Sequence, residues 1–234
     1  MCTLTYTNFN NQIIITSNRD EHIRRGISEF PQTLVLKNQT FTFPKDPEAG
    51  GTWIAANNNK RITVLLNGAF LKHTHSPPYR LSRGIVLLNS FNYNNLDLFK
   101  NKYNLVNIEP FTLVNIDLST KTIEELRWTG NKTDFTTLNF KKPHIWSSAT
   151  LYTPKTIEIR KQLFEKWVQK KNLTKKDMLD FHNFKGNSNK YNNIIMERTG
   201  SLQTVSISQI TTHTDSMMFF HKNLLNNQSK EVRI

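Results

Sequence analysis

The sequence predicts an α+β fold of antiparallel sheets with packed helices, and three observations carry that prediction. Strand-like runs come in close pairs joined by short polar turns. Helix-like stretches with recognisable caps fall mainly in the middle and late chain. The regular strand–helix–strand alternation that builds a doubly wound parallel sheet is missing. With 234 residues, the chain is long enough for one substantial core. No repeat or linker divides it, so residues 1–226 are expected to form one domain and 227–234 a frayed tail.

The first pair is residues 3–7 and 12–17, an alternating run and a β-branched run. Asn10-Asn11 between them suits a tight hairpin, because Asn tolerates positive φ. Residues 37–51 read as a loop punctuated by Pro44, Pro47, Gly50 and Gly51. A second hairpin is expected from 52–56 and 61–66 around Asn57, Asn58, Asn59 and Lys60. Ser82 is the expected N-cap of a helix to about residue 90, and 96–103 reads as a second short helix. Residues 111–117 and 123–128 are expected to be strands around a polar turn, followed by strands at 136–140 and 144–147. Thr153 followed by Pro154 marks the clearest helix start. On that helix Ile157, Leu163, Phe164, Trp167 and Val168 share one face, so Trp167 is assigned to the core. Thr174 caps another helix to about residue 182, residues 185–193 are polar, and strands return at 202–209 and 217–220.

Hydrophobic residues make up 37% and charged residues 21% of the chain, which suits a soluble globular protein. There is no apolar run of membrane-spanning length and no basic-then-apolar leader at the N-terminus. A single cysteine excludes an internal disulfide framework, and the cytoplasm is the expected compartment. The net charge of +13 raises the question of nucleic acid. The basic residues are scattered, however, and the pairs Lys141-Lys142, Lys170-Lys171 and Lys175-Lys176 have no regularly interleaved aromatics. A solvated basic surface accounts for them, and a nucleic-acid partner is not expected. His73-x-His75 is the sole metal-like spacing; with no Cys or carboxylate nearby in the chain it reads as a solvated loop, and no metal or cofactor is expected.

Chemistry points to the N-terminus. The one cysteine, Cys2, directly follows Met1. Removal of Met1 would leave a thiol and a free α-amine on one residue, a nucleophile and a general base together. Taken alone, Cys2 also fits a small hydrophobe at the start of a strand. The second strand ends in Asn18-Arg19-Asp20-Glu21, and hairpin pairing would bring that end close to Cys2. An arginine there would favour the thiolate, and an acid there could hold the amine. An ordinary charged strand end is the plainer account of the same residues.

Met1-Cys2, the run Thr16-Ser17-Asn18-Arg19-Asp20-Glu21, and Glu48-Ala49-Gly50-Gly51-Thr52-Trp53 together resemble the NRDE family. Val64-Leu65-Leu66-Asn67 falls where that family has a strand ending in Asn. The likeness is closest up to about residue 90 and looser at Trp146-Ser147-Ser148-Ala149 and from Arg198 to Ile207. The family is similar to the cysteine N-terminal nucleophile hydrolases of the choloylglycine hydrolase and penicillin V acylase group. The resemblance implies a four-layer αββα sandwich of two antiparallel sheets. It implies a cysteine amidohydrolase acting on a small non-peptide amide through a thioester.

In that reading Cys2 is the nucleophile, Arg19 and Asp20 support it, and Asn67 offers an amide N–H to the oxyanion. Gly50 and Gly51 allow close backbone approach, Trp53 walls the pocket or packs in the core, and Arg198 matches a late arginine of the acylases. Two departures stand out: whether Asp20 or Glu21 holds the amine is open, and Ser147 or Ser148 stands where the acylases have a second oxyanion-hole Asn. The resemblance also admits a non-catalytic trafficking or ligand-binding protein on the same scaffold, with haem or an acyl lipid as ligand.

Overall fold

A computed structural model describes residues 3–36, 39–58, 60–169, 173–186, 193–198, 201–212 and 216–234. Two antiparallel sheets face each other. The first has the strand order β10-β1-β2-β11-β12-β13, where β1 is Thr3–Phe9, β2 Gln12–His22, β10 His144–Ser147, β11 Leu202–Thr212, β12 Met217–Asn223 and β13 Ser229–Arg233. The second runs in chain order through β3 (Gln32–Leu36), β4 (Gln39–Phe43), β5 (Ile54–Asn57), β6 (Arg61–Asn67), β7 (Phe111–Asp117), β8 (Thr122–Trp128) and β9 (Thr133–Leu138). Helices α1 (Arg83–Ser90) and α2 (Leu96–Lys102) pack on the second sheet, and α3 (Pro154–Trp167) and α4 (Lys175–His182) on the first. This is the αββα sandwich.

The layers follow from side-chain alternation along the strands. On β1 and β2, Leu4, Tyr6, Ile13 and Ile15 turn inward to a core shared with Ile54, Val64 and Leu113 of the other sheet. Ile14, of opposite parity, turns outward and packs with Phe164 of α3 and Phe181 of α4. Fully burying such a side chain stabilises the fold by about 1.5–3 kcal/mol. Asn10 and Asn11 take φ of 49° and 61°, the doubly left-handed geometry that a two-residue hairpin demands. Ser82, Thr153 and Thr174 cap α1, α3 and α4, and Thr174 forms a full capping box with Asp177.

Three expectations need correction. The segment read as a loop from residue 37 contains β4, because Phe41 and Phe43 alternate with threonines and are buried. Phe41 meets Phe91 edge-on at 5.1 Å. The tail expected to fray forms β13, which pairs with β12 from Met218↔Arg233 to Lys222↔Ser229. The strand expected at 136–140 runs instead from Thr133 to Leu138. Phe140 lies beyond it, where its carbonyl accepts a 2.8 Å hydrogen bond from the Tyr6 hydroxyl. Of the polar stretch 185–193, positions 187–192 lie outside the described residues.

Candidate active site

Cys2 lies outside the described residues; its chain neighbour Thr3 begins β1. Thr3 stands between two strands, opposite Asn18 of β2 and Ser147 of β10. Its hydroxyl accepts a 2.5 Å hydrogen bond from Nη1 of Arg160, a fully buried residue of α3. The Arg160 guanidinium lies 3.6 Å from the centre of the Tyr152 ring and also donates to the Asn193 carbonyl.

Alternation along β2 sends the two predicted supporting residues to opposite faces. Asp20 is buried on the helix side, where its carboxylate accepts from the Tyr152 hydroxyl (2.7 Å) and the Thr204 hydroxyl (2.5 Å). Arg19 turns between the sheets. Its Nη2 donates to Asp46 at 2.5 Å and its guanidinium lies 4.6 Å from the centre of the Trp53 ring. Burial lowers the affinity of this guanidinium for its proton, and Asp46 is the chief opposing influence.

Asp46 holds this corner together. One of its oxygens accepts from Arg19 and, at 3.1 Å, from Nε of Arg25. The other accepts the backbone N–H groups of Glu48 (3.1 Å) and Ala49 (2.8 Å). Sequence reasoning missed Asp46, which looks like a solvated loop charge in Lys45-Asp46-Pro47-Glu48. It also missed Arg160, although that position falls on the apolar face of α3 between Ile157 and Phe164.

Arg19, Trp53, Asn67 and Gly51 line one cavity of about 230 Å³. The first turn of α1, at Ser82, Arg83 and Gly84, lines it too. Two donors buried away from any water-sized molecule, Nη1 of Arg19 and Nε1 of Trp53, have no hydrogen-bond partner among the described residues. On β6, Leu65 N–H donates to the Trp53 carbonyl while Gly68 N–H donates across to Pro110. Antiparallel alternation therefore turns the Asn67 N–H away from β7 and toward the side where β5 has ended. Ser148 Oγ donates to the Asn67 carbonyl at 2.8 Å, which fixes this strand end.

The remaining predicted residues take different places. Gly51 has no room for a side chain, since a Cβ would lie 2.6 Å from the backbone of Gly84, so this glycine lets α1 approach. Gly50 (φ +66°) makes the turn behind it and does not line the cavity. Trp53 serves both the cavity and the core, and its ring also tilts against His221 at 5.9 Å. Ser147 pairs with Thr3. Arg198 lies off the cavity, donating to the Leu151 carbonyl at 2.7 Å. His73 and His75, read as lacking a carboxylate, both reach one oxygen of Glu109, at 3.1 and 3.2 Å. Glu109 pairs also with Arg83 at 3.0 Å. Distance along the chain had hidden this contact. Among the described residues no group of three or more His, Cys, Asp or Glu side chains could hold a metal.

Two buried imidazoles flank the site and stay neutral. His182 bonds to Asn18 and Thr5, both at 2.8 Å, and burial lowers its pKa to about 3, with Arg160 adding to the effect. His221, between Ser28 and Ser208, is lowered by burial to about 4. Both values lie below that of an unfolded histidine, about 6.5. The unfolded chain therefore binds these protons first, and stability present above about pH 6.5 is lost as pH falls toward 4 and then 3. The urea midpoint is expected to fall over that range and His182→Gln to flatten part of the slope; a flat profile in the wild type would contradict neutral burial.

The fold is similar to that of N-terminal nucleophile hydrolases. Solved structures similar to it include a single-residue variant of the conjugated bile acid hydrolase from Clostridium perfringens, at 12% identity and a TM-score of 0.54, covering 99% of this chain and 92% of that one. The penicillin V acylase from Agrobacterium tumefaciens is similar at 12% identity and a TM-score of 0.53, covering 100% and 86%. The Caenorhabditis elegans N-acylethanolamine-hydrolyzing acid amidase ortholog matches at 12% and 0.53, covering 89% and 92%. At such identity the likeness shows the fold alone. No curated protein matches the sequence. The family model for Transport and Golgi organisation 2 matches residues 1–223, and the chain belongs to that family. No helix among the described residues is long and apolar enough to cross a membrane.

Proposed function

We propose that the chain hydrolyses small linear amides, with Cys2 as an N-terminal nucleophile freed by loss of Met1. The observation that supports this most is the position of the cavity. Its Arg19 directly follows Asn18, the strand partner of Thr3, and Cys2 is bonded to Thr3, with Cα atoms about 3.8 Å apart. Solved structures similar in fold to the chain include a conjugated bile acid hydrolase, a penicillin V acylase and an N-acylethanolamine-hydrolyzing acid amidase ortholog, which agrees with amide chemistry.

In this reading the α-amine takes the thiol proton as Sγ bonds to the amide carbon. The positive field of Arg19 favours the thiolate, and the Asn67 N–H stabilises the oxyanion, an interaction worth about 3 kcal/mol where such donors have been removed. The C–N bond then breaks and the amine leaves with the proton. Water attacks the resulting thioester, releasing a carboxylic acid and restoring the thiol. Asp20 or Glu21 would hold the α-amine: Asp20 already accepts from Tyr152 and Thr204, and Glu21 lines the cavity but is engaged with Arg25 at 3.5 Å. Trp53 and Gly51 form the wall of the substrate site.

A cavity of about 230 Å³ is smaller than the roughly 300–1,000 Å³ that encloses a drug-sized ligand, which suits a short acyl group better than haem. The test is a panel of short-chain N-acyl amines incubated with the protein, with release of amine measured. Turnover of at least one member is expected, and no turnover across the panel would overturn the reading.

A further inference from the structure

Alternation puts Thr3, Thr5 and Thr7 of β1 on the helix side of the first sheet, and the three hydroxyls are held unequally. The Thr7 hydroxyl is buried with no hydrogen-bond partner among the described residues. Thr5 meets the neutral imidazole of His182 at 2.8 Å. Thr3 meets a charge, Nη1 of Arg160 at 2.5 Å. A charge-assisted bond is roughly twice as strong as a neutral one, so the anchoring strengthens toward Thr3, the residue bonded to Cys2. The sheet tolerates an unheld hydroxyl at Thr7. Strand pairing alone therefore does not call for the anchor at Thr3.

The Arg160 guanidinium cannot shed its charge. The residue is 1% exposed, where a cation is tolerated only with its partners in place. Besides Thr3, the Asn193 carbonyl accepts from Nη2, and the Tyr152 ring lies against the guanidinium at 3.6 Å. The Tyr152 hydroxyl donates in turn to Asp20 at 2.7 Å. The chain of contacts Asp20–Tyr152–Arg160–Thr3 thus joins the site end of β2 to the start of β1. None of these four residues lines the cavity.

We infer that Arg160 is a positioning residue for Cys2: by holding the Thr3 hydroxyl from α3, it fixes the peptide that carries the thiol and the amine. Its effect on turnover rests on the hydrolase reading, where a nucleophile misplaced by about 1 Å costs about 10²-fold. Its effect on the thiol can be read without that reading.

Cys2 is the one cysteine of the chain, so alkylation by iodoacetamide reports on that thiol alone. Rates measured on the full chain from about pH 5 to 10 give the midpoint at which the thiolate forms. Arg160→Met keeps an unbranched stem and removes the guanidinium. Thr3→Val keeps the shape, removes the hydroxyl and leaves the Arg160 charge. Both are expected to raise the midpoint by about one unit, toward the free-thiol value of about 8.5, as the thiol leaves its place beside Arg19. Both are also expected to lower kcat for amides about 10²-fold, with KM changed by less than about threefold. Thr3→Ser restores the hydroxyl and is expected to return both readings to near wild type.

A midpoint unmoved in both variants would overturn the inference, since a role in stability alone leaves the thiol of the folded protein as it was. A shift in Arg160→Met without one in Thr3→Val would overturn it too, because the charge would then act directly and not through Thr3. So would Thr3→Ser behaving like Thr3→Val. If Arg160→Met fails to fold, the comparison of Thr3→Val with Thr3→Ser decides alone. A shifted midpoint without turnover of any amide by the wild type would uphold positioning and count against the hydrolase reading; turnover with an unmoved midpoint would do the reverse.

Discussion

Cys2→Ala is expected to lower amide hydrolysis by about 10⁴-fold or more, the scale on which loss of a covalent nucleophile acts. Alanine keeps the α-amine and the small volume, so the proposed general base is retained. What disappears is the Sγ–carbon bond, and with it the two-step route through a thioester. The residual rate would come from Arg19 and the Asn67 N–H acting on a bound amide with water as nucleophile. Steady-state amine release by wild type and variant, with matched circular dichroism, measures the ratio. A variant that keeps more than about a tenth of the wild-type rate would show that the thiol does no covalent work.

Asp46→Ala carries the largest expected loss of stability. It removes the carboxylate shared by Arg19 and Arg25 and the acceptor of two loop N–H groups. The Arg19 side chain is only 3% exposed, so its charge would be left buried and uncompensated. Breaking a buried pair from one side typically costs about 3–5 kcal/mol, against roughly 0–1 kcal/mol for an exposed pair. Urea unfolding should show a loss of about 3 kcal/mol or more, and a loss below about 1 kcal/mol would mean that the pair behaves as a surface pair. Asp46→Asn should fall between, since an amide oxygen still accepts the loop N–H groups but carries no charge.

Local signals were legible in the sequence where local physics decides. Asn10-Asn11 marked a hairpin because few other residues take two successive positive φ angles. Ser82, Thr153 and Thr174 marked helix starts because the orphan N–H groups there need an acceptor. The joint occurrence of Cys2, the 16–21 run and the 48–53 run pointed to the family that the whole-chain match then showed.

Partnerships across the fold were harder to see. Asp46 meets Arg19 from 27 positions away, and Glu109 meets His73 from 36. Nothing in Lys45-Asp46-Pro47-Glu48 distinguishes a buried carboxylate from a solvated one. Arg160 was a missed signal of another kind, a charge on an apolar helix face, which burial tolerates only with partners in place. Arg19 and Asp20 read as a pair because they adjoin in sequence. Strand alternation alone already sends neighbours to opposite faces, Arg19 to Trp53 and Asp20 to Tyr152.

In the proposed reaction Cys2 acts with its own free α-amine. Intact-mass spectrometry of the protein isolated from the cells that make it tests this most directly. The expected mass is short by one methionine residue, with cysteine as the first residue of the N-terminal peptide. A protein that hydrolyses amides while retaining Met1 would contradict it, because the amine would then be locked in a peptide bond and could not serve as the base.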